Sequence, residues 1–404
     1  MIMNKDILNI IIVNTQTVPS SGKGAASVNR ILSYTKGLVG EGNNVRIIST
    51  AACENNNWLE YEGISVKHLG KPSKNNAGKF LNYILTSFRL IGALHKEDKD
   101  VVMFVTSNYP LIIFLELYCN LTGTKIVNER SEFPFVMMTD NKLKRMIAPL
   151  YTNTAYKLLD GMVIMTKPLM EYYAHKVSKK CKFLEVPMTV DTRRFEAAVG
   201  GGISCLNGQN GQSDYIAYCG NMGGNKDGLK NLLQSFQIVE KRGYPFKLLL
   251  IGGTNNEAEY EELISLNENL GNKNVVFYGK ADRDSMPSLL KGAKMLVLAR
   301  PYSLQSTGGF PTKLGEYLST GNPVVVTAVG DIPTYLTNKV HAYVVQPDDN
   351  EAFADAICYV WDHYEEAKTV GQKGQELTKT VFSGEYQAKR IEKFLKELLT
   401  SKSA

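Results

Sequence analysis

No Cys-x-x-Cys pair and no metal-ligand spacing occur anywhere in the chain. Its six cysteines, Cys53, Cys119, Cys181, Cys205, Cys219 and Cys358, are scattered. This leaves no cysteine-built metal site and fits reduced thiols in a cytoplasmic protein. An uninterrupted apolar run long enough to cross a membrane is also missing. The most apolar segment, Val101 to Cys119, is broken by Asn108, Pro110 and Glu116, and reads as a strand followed by a buried helix starting at Pro110. The apolar run near the N-terminus is short, is interrupted by Asn9 and is followed by Asn14, as in a first strand rather than a signal peptide. Neither sign of charge dominates: the formal net charge is +6, too weak to argue for nucleic acid without a clustered patch, and equally suited to anionic small ligands or an acidic membrane face.

Two familiar nucleotide motifs are absent as well. Pro19-Ser-Ser-Gly-Lys-Gly-Ala25 follows a first strand, but a P-loop requires Gly where Thr17 stands and Ser or Thr where Gly24 stands. Nor does Gly22-Lys-Gly24 continue as G-x-G-x-x-G, because Ser27 occupies the last position. A phosphate approach and a plain surface turn both remain open for this stretch.

What is present is a repeated alternation of strands and helices. At 404 residues, with 44% hydrophobic and 21% charged residues, the chain has room for two or three globular domains with cores of their own. Strand-like runs at Leu8 to Val13, Val45 to Ser49, Val101 to Val105, Lys125 to Val127 and Gly161 to Met165 alternate with helical patterns, which predicts an α/β, doubly wound parallel sheet. Ala197 to Asp214 is rich in Gly, Asn, Gln and Ser and marks a linker. The pattern then restarts at Tyr215 to Cys219 and continues through Lys247 to Ile251, Val275 to Tyr278, Met295 to Ala299, Pro323 to Thr327 and Tyr343 to Val345, a second doubly wound domain. The expected division is 1–196, a linker at 197–213, a second domain at 214–380 and C-terminal helix at 381–404, with the two Rossmann-like domains facing across a cleft.

The richest stretch is Ser306 to Gly321. Gly308 and Gly309 permit close backbone approach, Pro311 suits the first helical position, and the turn from Thr312 to Gly315 would offer N–H groups and a positive dipole end to an anion. Glu316 lies just inside that helix, where a carboxylate can accept from a ribose diol. An ordinary Gly-Pro helix entry is the competing reading. Gly220 to Gly228 is a second glycine-rich strand-to-helix turn, with Lys226 as a point charge for phosphate. Asn128-Glu-Arg-Ser-Glu-Phe-Pro134 gathers Glu129, Arg130 and Glu132 after a strand, a ligand-facing place in such sheets or else a solvated loop. Asp282-Arg-Asp284 has a metal-binding form, but Asp284 reads better as the cap of a helix starting near Ser285. Gly78 to Ile91, with Phe80, Ile84, Phe88 and Ile91 at helical spacing and Lys71, Lys74, Lys79 and Arg89 nearby, suits either a membrane surface or a helix packed on the sheet. Lys142, Lys144 and Arg145 beside Met146, Ile147, Leu150 and Tyr151 pose the same choice.

On Gly309-Phe-Pro-Thr-Lys-Leu-Gly-Glu316 through Val325, Val329-Gly-Asp-Ile-Pro333, the Gly220 to Gly228 loop, Val275 to Gly279 and Val186-Pro-Met-Thr-Val-Asp191, the chain resembles glycosyltransferase family 4, the retaining nucleotide-sugar transferases of the GT-B fold. The resemblance implies transfer of a hexose-type sugar from a UDP-sugar or GDP-sugar to a glycan or lipid-linked acceptor in bacterial-type polysaccharide or glycoconjugate synthesis. It implies no cofactor, no metal and no nucleic acid partner; the expected place is cytoplasmic, and the basic helical stretches near Lys79 and Lys144 point to peripheral contact with the inner face of the cell membrane. By the same resemblance Glu316 is the second Glu of an E-x7-E motif and Lys226 neutralises the diphosphate, both as candidate catalytic groups. Gly24, Asn221, Lys280, Gly308, Gly309, Phe310, Pro311 and Thr312 would line the nucleotide-sugar site, and Glu129, Arg130 and Glu132 the acceptor or sugar. The first-domain sheet would bind acceptor, and the last helix would cross back onto it. Three departures stand out: Gly308 replaces the first motif Glu, Asn221 replaces the Arg usual before the phosphate lysine, and no His follows the fourth strand of the first domain. Two other readings remain, a nucleotide-sugar epimerase of the same fold and a non-catalytic nucleotide-sugar-binding subunit.

Overall fold

The computed structural model describes residues 6–19, 25–134, 142–200, 207–208, 211–212, 214–254, 256–282 and 284–401. They form two compact units, Met1–Thr189 with Gly384–Ala404, and Val190–Ser383.

The first unit contains β1 (Asn9–Asn14), α1 (Ala25–Gly40), β2 (Asn44–Ala52), β3 (Trp58–Tyr61), β4 (Ile64–Gly70), α2 (Asn76–Lys96), β5 (Val101–Val105), α3 (Tyr109–Thr122), β6 (Lys125–Arg130), α4 (Lys142–Thr154), β7 (Gly161–Ile164), α5 (Lys167–Ala174) and β8 (Lys182–Glu185). The strands make one sheet in the order β3-β4-β2-β1-β5-β6-β7-β8. All neighbours are parallel except the β3–β4 hairpin. Buried on both faces, β1 reads as the apolar run Ile10 to Val13, as a central parallel strand must. The hairpin is missing from the sequence reading. Its turn places Glu62 and Gly63 at φ 50° and 78°, a primed turn made with a Glu-Gly pair instead of the Asn-Gly or Asp-Gly that signals one.

The chain's last helix, Gly384–Thr400, belongs to this unit. Ala388, Ile391, Phe394, Leu395 and Leu398 enter the same core as Ile10, Ile12, Val28 and Ile31. Its approach is close: a Cβ on Gly37 would stand 2.5 Å from the Ala388 Cβ, and one on Gly161 would stand 2.8 Å from the Phe394 ring.

The second unit starts with α6 (Arg193–Glu196) and the two-residue strands β9 (Asn207–Gly208) and β10 (Gly211–Gln212). There follow β11 (Tyr215–Asn221), α7 (Leu229–Lys241), β12 (Lys247–Gly253), α8 (Glu257–Leu270), β13 (Val275–Gly279), α9 (Met286–Lys291), β14 (Met295–Leu298), α10 (Leu304–Gly308), α11 (Thr312–Ser319), β15 (Val324–Thr327), α12 (Ile332–Tyr335), β16 (Tyr343–Val345), α13 (Asn350–Asp362) and α14 (Tyr364–Lys379). The main sheet is parallel, in the order β13-β12-β11-β14-β15-β16. That order is the doubly wound 3-2-1-4-5-6, with its switch point between β11 and β14, where such sheets bind ligands beyond the strand ends.

The units divide at Thr189/Val190 and at Ser383/Gly384, several residues from the divisions expected at 196 and 380. The reason is backbone pairing, since the Val190 N–H donates to the Phe382 carbonyl at 3.0 Å and so draws residues 190 onward into the second unit. No helix among the described residues is long and apolar enough to cross a membrane.

Candidate functional site

At the switch point of the second unit, two glycine-bearing connections meet: Asn221 to Gly228 after β11, and Ala299 to Pro311 after β14. The second is not one loop. Ser303 and Ser306 form a reciprocal cap that starts the short helix α10, which runs through Gly308, so this glycine is buried at a helix end. Pro311 stands at the N-cap of α11, with no side-chain cap, one position earlier than expected. The N–H groups of Thr312 and Lys313 in the first turn of α11 have no acceptor within their own helix.

Arg300 holds the two connections together. Its side chain is fully buried. One guanidinium nitrogen donates to the Gly309 carbonyl at 3.1 Å and another to the Lys226 carbonyl at 3.3 Å. Nε also lies 3.7 Å from Asp227 Oδ1. A planar fork with several fixed donors is suited to holding acceptors on two loops at once.

Asp227 is the shared anion. Its carboxylate takes the Lys313 ammonium and the Tyr218 hydroxyl, while Lys313 Nζ donates to Tyr218 Oη at 2.9 Å and lies 4.5 Å from that ring's centre. Burial alone would raise the Asp227 carboxyl, but Lys313, with Arg300 and the Tyr218 hydroxyl, holds it below the ordinary carboxylate value. The same burial and the neighbouring Asp227 carboxylate push the Tyr218 hydroxyl well up. Lys313 passes so close to β11 that a Cβ on Gly220 would fall 2.0 Å from its ammonium. Tyr317 adds a further tie, accepting from the Cys219 N–H at 2.6 Å and anchoring α11 to β11.

The backbone of the first connection is equally constrained. Gly228 has φ +69°, and a Cβ there would stand 1.8 Å from the Ala299 carbonyl. Only glycine permits that turn with β14's exit so near.

Around this frame the predicted residues sort as follows. Lys226 is half-buried in the turn before α7. Glu316 is on the first two turns of α11, 28% exposed, with Arg194 Nη1 3.6 Å away. Asn221 is exposed, but its amide turns back to the Gly223 carbonyl at 2.8 Å. Phe310 is buried, packing its ring on Tyr335 and Phe382 with centroids 5.6 Å apart in each case, so its place is in the core. Lys280 is exposed, and its aliphatic stem covers Gly253. Gly24, with the rest of the Gly22 to Gly24 turn, lies outside the described residues. Asp284 does not cap α9: the N-cap is Ser285, with no side-chain cap bond, and its hydroxyl donates to the Asp282 carbonyl at 3.0 Å. Among the described residues no group of three or more His, Cys, Asp or Glu side chains is placed to hold a metal ion.

In the first unit, the expected loop at Asn128 to Glu132 is strand as far as Arg130. Glu129 is buried in an ion pair with Arg30 Nε at 2.7 Å. The Arg30 guanidinium also donates to the Val186 and Pro187 carbonyls. Arg130 is buried too. Its Nε donates to the Tyr173 hydroxyl at 3.0 Å and Nη1 to the Thr106 carbonyl at 3.0 Å. Arg30 neutralises the Glu129 carboxylate, and the Tyr173 hydroxyl and Thr106 carbonyl satisfy donors of Arg130, so charges that would otherwise hold the segment out in solvent are buried with partners. Glu132 is exposed at the strand's end. The first unit therefore does not bring Glu129, Arg130 and Glu132 together as one exposed cluster.

Two doubly wound α/β sheets, parallel but for the β3–β4 hairpin, make this a GT-B glycosyltransferase fold. Residues 213–363 match the family model described as "Glycosyl transferases group 1", and the resemblance read from the sequence is met at that level. Two curated relatives match part of the chain: D-rhamnosyltransferase WbpZ of Pseudomonas aeruginosa, 27% identical over 39% of this chain and 38% of its own length, and the putative teichuronic acid biosynthesis glycosyltransferase TuaH of Bacillus subtilis, 26% identical over 40% and 36%. The matched stretch thus spans little more than a third of those relatives. Among solved structures, sucrose-phosphate synthase from Thermosynechococcus elongatus has a TM-score of 0.72 at 16% identity, covering 98% of this chain and 100% of that one. Anabaena HepE in complex with UDP and glucose has a TM-score of 0.72 at 12% identity, covering 96% and 100%. The likeness to these structures is one of fold.

Proposed function

We propose that the protein is a retaining glycosyltransferase whose second unit binds a UDP-sugar or GDP-sugar and passes a hexose-type sugar to a glycan or lipid-linked acceptor in polysaccharide synthesis. The observation that carries this reading is the Arg300 tie. It ties the backbone of the Lys226 turn to that of Gly309, just before α11, at one end of one sheet, which supports a diphosphate site formed by Lys226 and the first-turn N–H groups of α11. The names of the relatives, two glycosyltransferases of bacterial glycan synthesis, and the UDP held by a protein of the same fold support it.

In this reaction the bond between the sugar's anomeric carbon and the phosphate oxygen breaks while the acceptor hydroxyl attacks on the same face. The acceptor's proton passes to the leaving phosphate, so no protein base is required. Negative charge grows on the diphosphate, and Lys226 with the first-turn N–H groups of α11 stabilises it, the kind of fixed electrostatic help that is strongest where charge develops. Glu316 accepts hydrogen bonds from the ribose diol. Its pairing with Arg194 at 3.6 Å is partly exposed and worth about 1 kcal/mol or less. With no carboxylate at position 308, contact to the sugar falls to the backbone near Gly309. Transfer of this kind needs no metal ion.

Lys226→Ala tests the assignment. Loss of one transition-state donor should lower kcat/KM on the order of 100-fold with a nucleotide-sugar donor. Turnover near that of the wild type would remove Lys226 from the mechanism. Binding of nucleotide sugar without turnover against any acceptor would instead favour a non-catalytic subunit, and conversion of the sugar without acceptor would favour an epimerase.

A further inference from the structure

The side chain of Lys313 takes no part in the chemistry given above to Lys226, Glu316 and the first-turn N–H groups of α11, yet it lies where the two glycine connections meet. It stands in the first turn of α11. Its ammonium comes so close to β11 that it fills the space a side chain on Gly220 would need, one residue before the turn that carries Lys226. At 15% exposure it is mostly buried without being sealed from solvent.

An ammonium carries three N–H donors. One goes to the Asp227 carboxylate and one to Tyr218 Oη at 2.9 Å. Among the described residues no acceptor is placed for the third. Nor does Lys313 have a carboxylate to itself, since Asp227 also faces Arg300, whose Nε lies 3.7 Å from Oδ1. Taking a cation out of water is costly unless anions meet it. Anchoring α11 does not require that cost. The Tyr317 hydroxyl accepts from the Cys219 N–H at 2.6 Å and donates to the Cys219 carbonyl at 3.2 Å, joining the same helix to the same strand with neutral groups. A cation with a spare donor, held in place at the switch point, is prepared for a further anion.

We infer that Lys313 is a second diphosphate-binding residue, its third N–H meeting a phosphate oxygen of the nucleotide while Asp227 and Tyr218 hold the ammonium in position. The inference rests on the reading of this end of the sheet as the nucleotide-sugar site. The diphosphate of a nucleotide sugar carries more negative charge than Lys226 alone answers, and Lys313 supplies the remainder from the opposite connection.

The test is titration calorimetry of the protein with UDP, GDP, ADP and dTDP, and with the matching nucleosides, which carry no phosphate. Lys313→Met should weaken the diphosphate that binds about 10- to 100-fold, the scale of one hydrogen bond to a charged group, and leave the affinity for its nucleoside little changed. A Lys313 that only braces α11 would act otherwise, because its loss would disturb Glu316 on the same helix and weaken nucleoside and diphosphate alike. Asp227→Asn breaks the same ion pair and keeps the ammonium, so it should hold the diphosphate at least as tightly as the wild type. Diphosphate affinity unchanged in Lys313→Met, or lost equally in Lys313→Met and Asp227→Asn, would overturn the inference while the nucleotide site stands. A wild-type protein that binds none of the four diphosphates would overturn it together with that site.

Discussion

Replacing Lys313 by Met removes the ammonium from the Asp227 carboxylate while keeping most of the side chain's volume. Asp227 is 11% exposed and Lys313 15%, so the change leaves an anion largely out of water. Breaking a buried pair from one side costs about 3–5 kcal/mol. Here the Tyr218 hydroxyl stays within 3.0 Å and Arg300 within 3.7 Å, which reduces the expected loss to about 2–3 kcal/mol by the same rule. In urea that corresponds to a midpoint shift of about 1 M. Trp361 reports on this unit, since its ring packs 4.3 Å from that of Phe246, and fluorescence in a Trp58→Phe background follows the transition. The pH dependence has a definite sign. A carboxyl held below its ordinary value contributes stability above its unfolded pKa and loses it as pH falls through the folded one. The deficit of Lys313→Met should therefore be full at neutral pH and shrink under acid conditions. Asp227→Asn/Lys313→Met should be less unstable than the sum of its single changes by about 1 kcal/mol or more. If both single variants lie within ~0.5 kcal/mol of wild type and simply add, the pair does not hold the two connections together.

Two further outcomes concern stability. Glu116 on α3 is fully buried, and desolvation raises its carboxyl to about 8; the folded state keeps a proton that the unfolded chain gives up. Stability should therefore fall as pH rises from 4.5 through about 8, and Glu116→Gln should remove a penalty on the order of 3 kcal/mol at neutral pH. Parallel melting curves for the two proteins from acid to pH 9 would refute it. Gly228→Ala places a Cβ 1.8 Å from the Ala299 carbonyl at φ +69° and should cost ~2 kcal/mol or more, whereas Gly243→Ala, at φ +84° with nothing within 4 Å, should cost about 1. Equal losses in urea melts would mean that the approach to β14 is not the constraint.

Much of the second unit was legible because parallel strands buried on both faces, such as Lys247 to Ile251 and Met295 to Leu298, write themselves as short apolar runs. The glycine turns at Gly220 to Gly228 and Gly308-Gly309 marked the strand ends at the switch point of the sheet. The residues that fix those turns did not show. Arg300, Asp227 and Lys313 are single ionisable residues far apart in sequence, brought together only when β14 lies beside β11 and α11 crosses back over it. Arg300 carried one faint signal, a charge directly following the apolar run of β14. The opposite error occurred at Glu129 and Arg130, where charge suggested a loop. Arg30, from a distant helix, and Tyr173 supply the partners that let a charged pair finish a buried strand. Phe310 was drawn into the site by its neighbours in the motif, while its ring belongs to the cluster with Tyr335 and Phe382.

The central claim is that the second unit holds a nucleotide diphosphate between Lys226, α11 and Glu316. Thermal stability against UDP, GDP, ADP, dTDP and their sugar conjugates tests it most directly, because a ligand at 100 times its dissociation constant adds about 2.7 kcal/mol. The account predicts stabilisation by one nucleotide family, with UDP or GDP leading, lost in Glu316→Ala and weakened in Lys226→Ala. No shift with any nucleotide, or a shift unchanged in both variants, would contradict it.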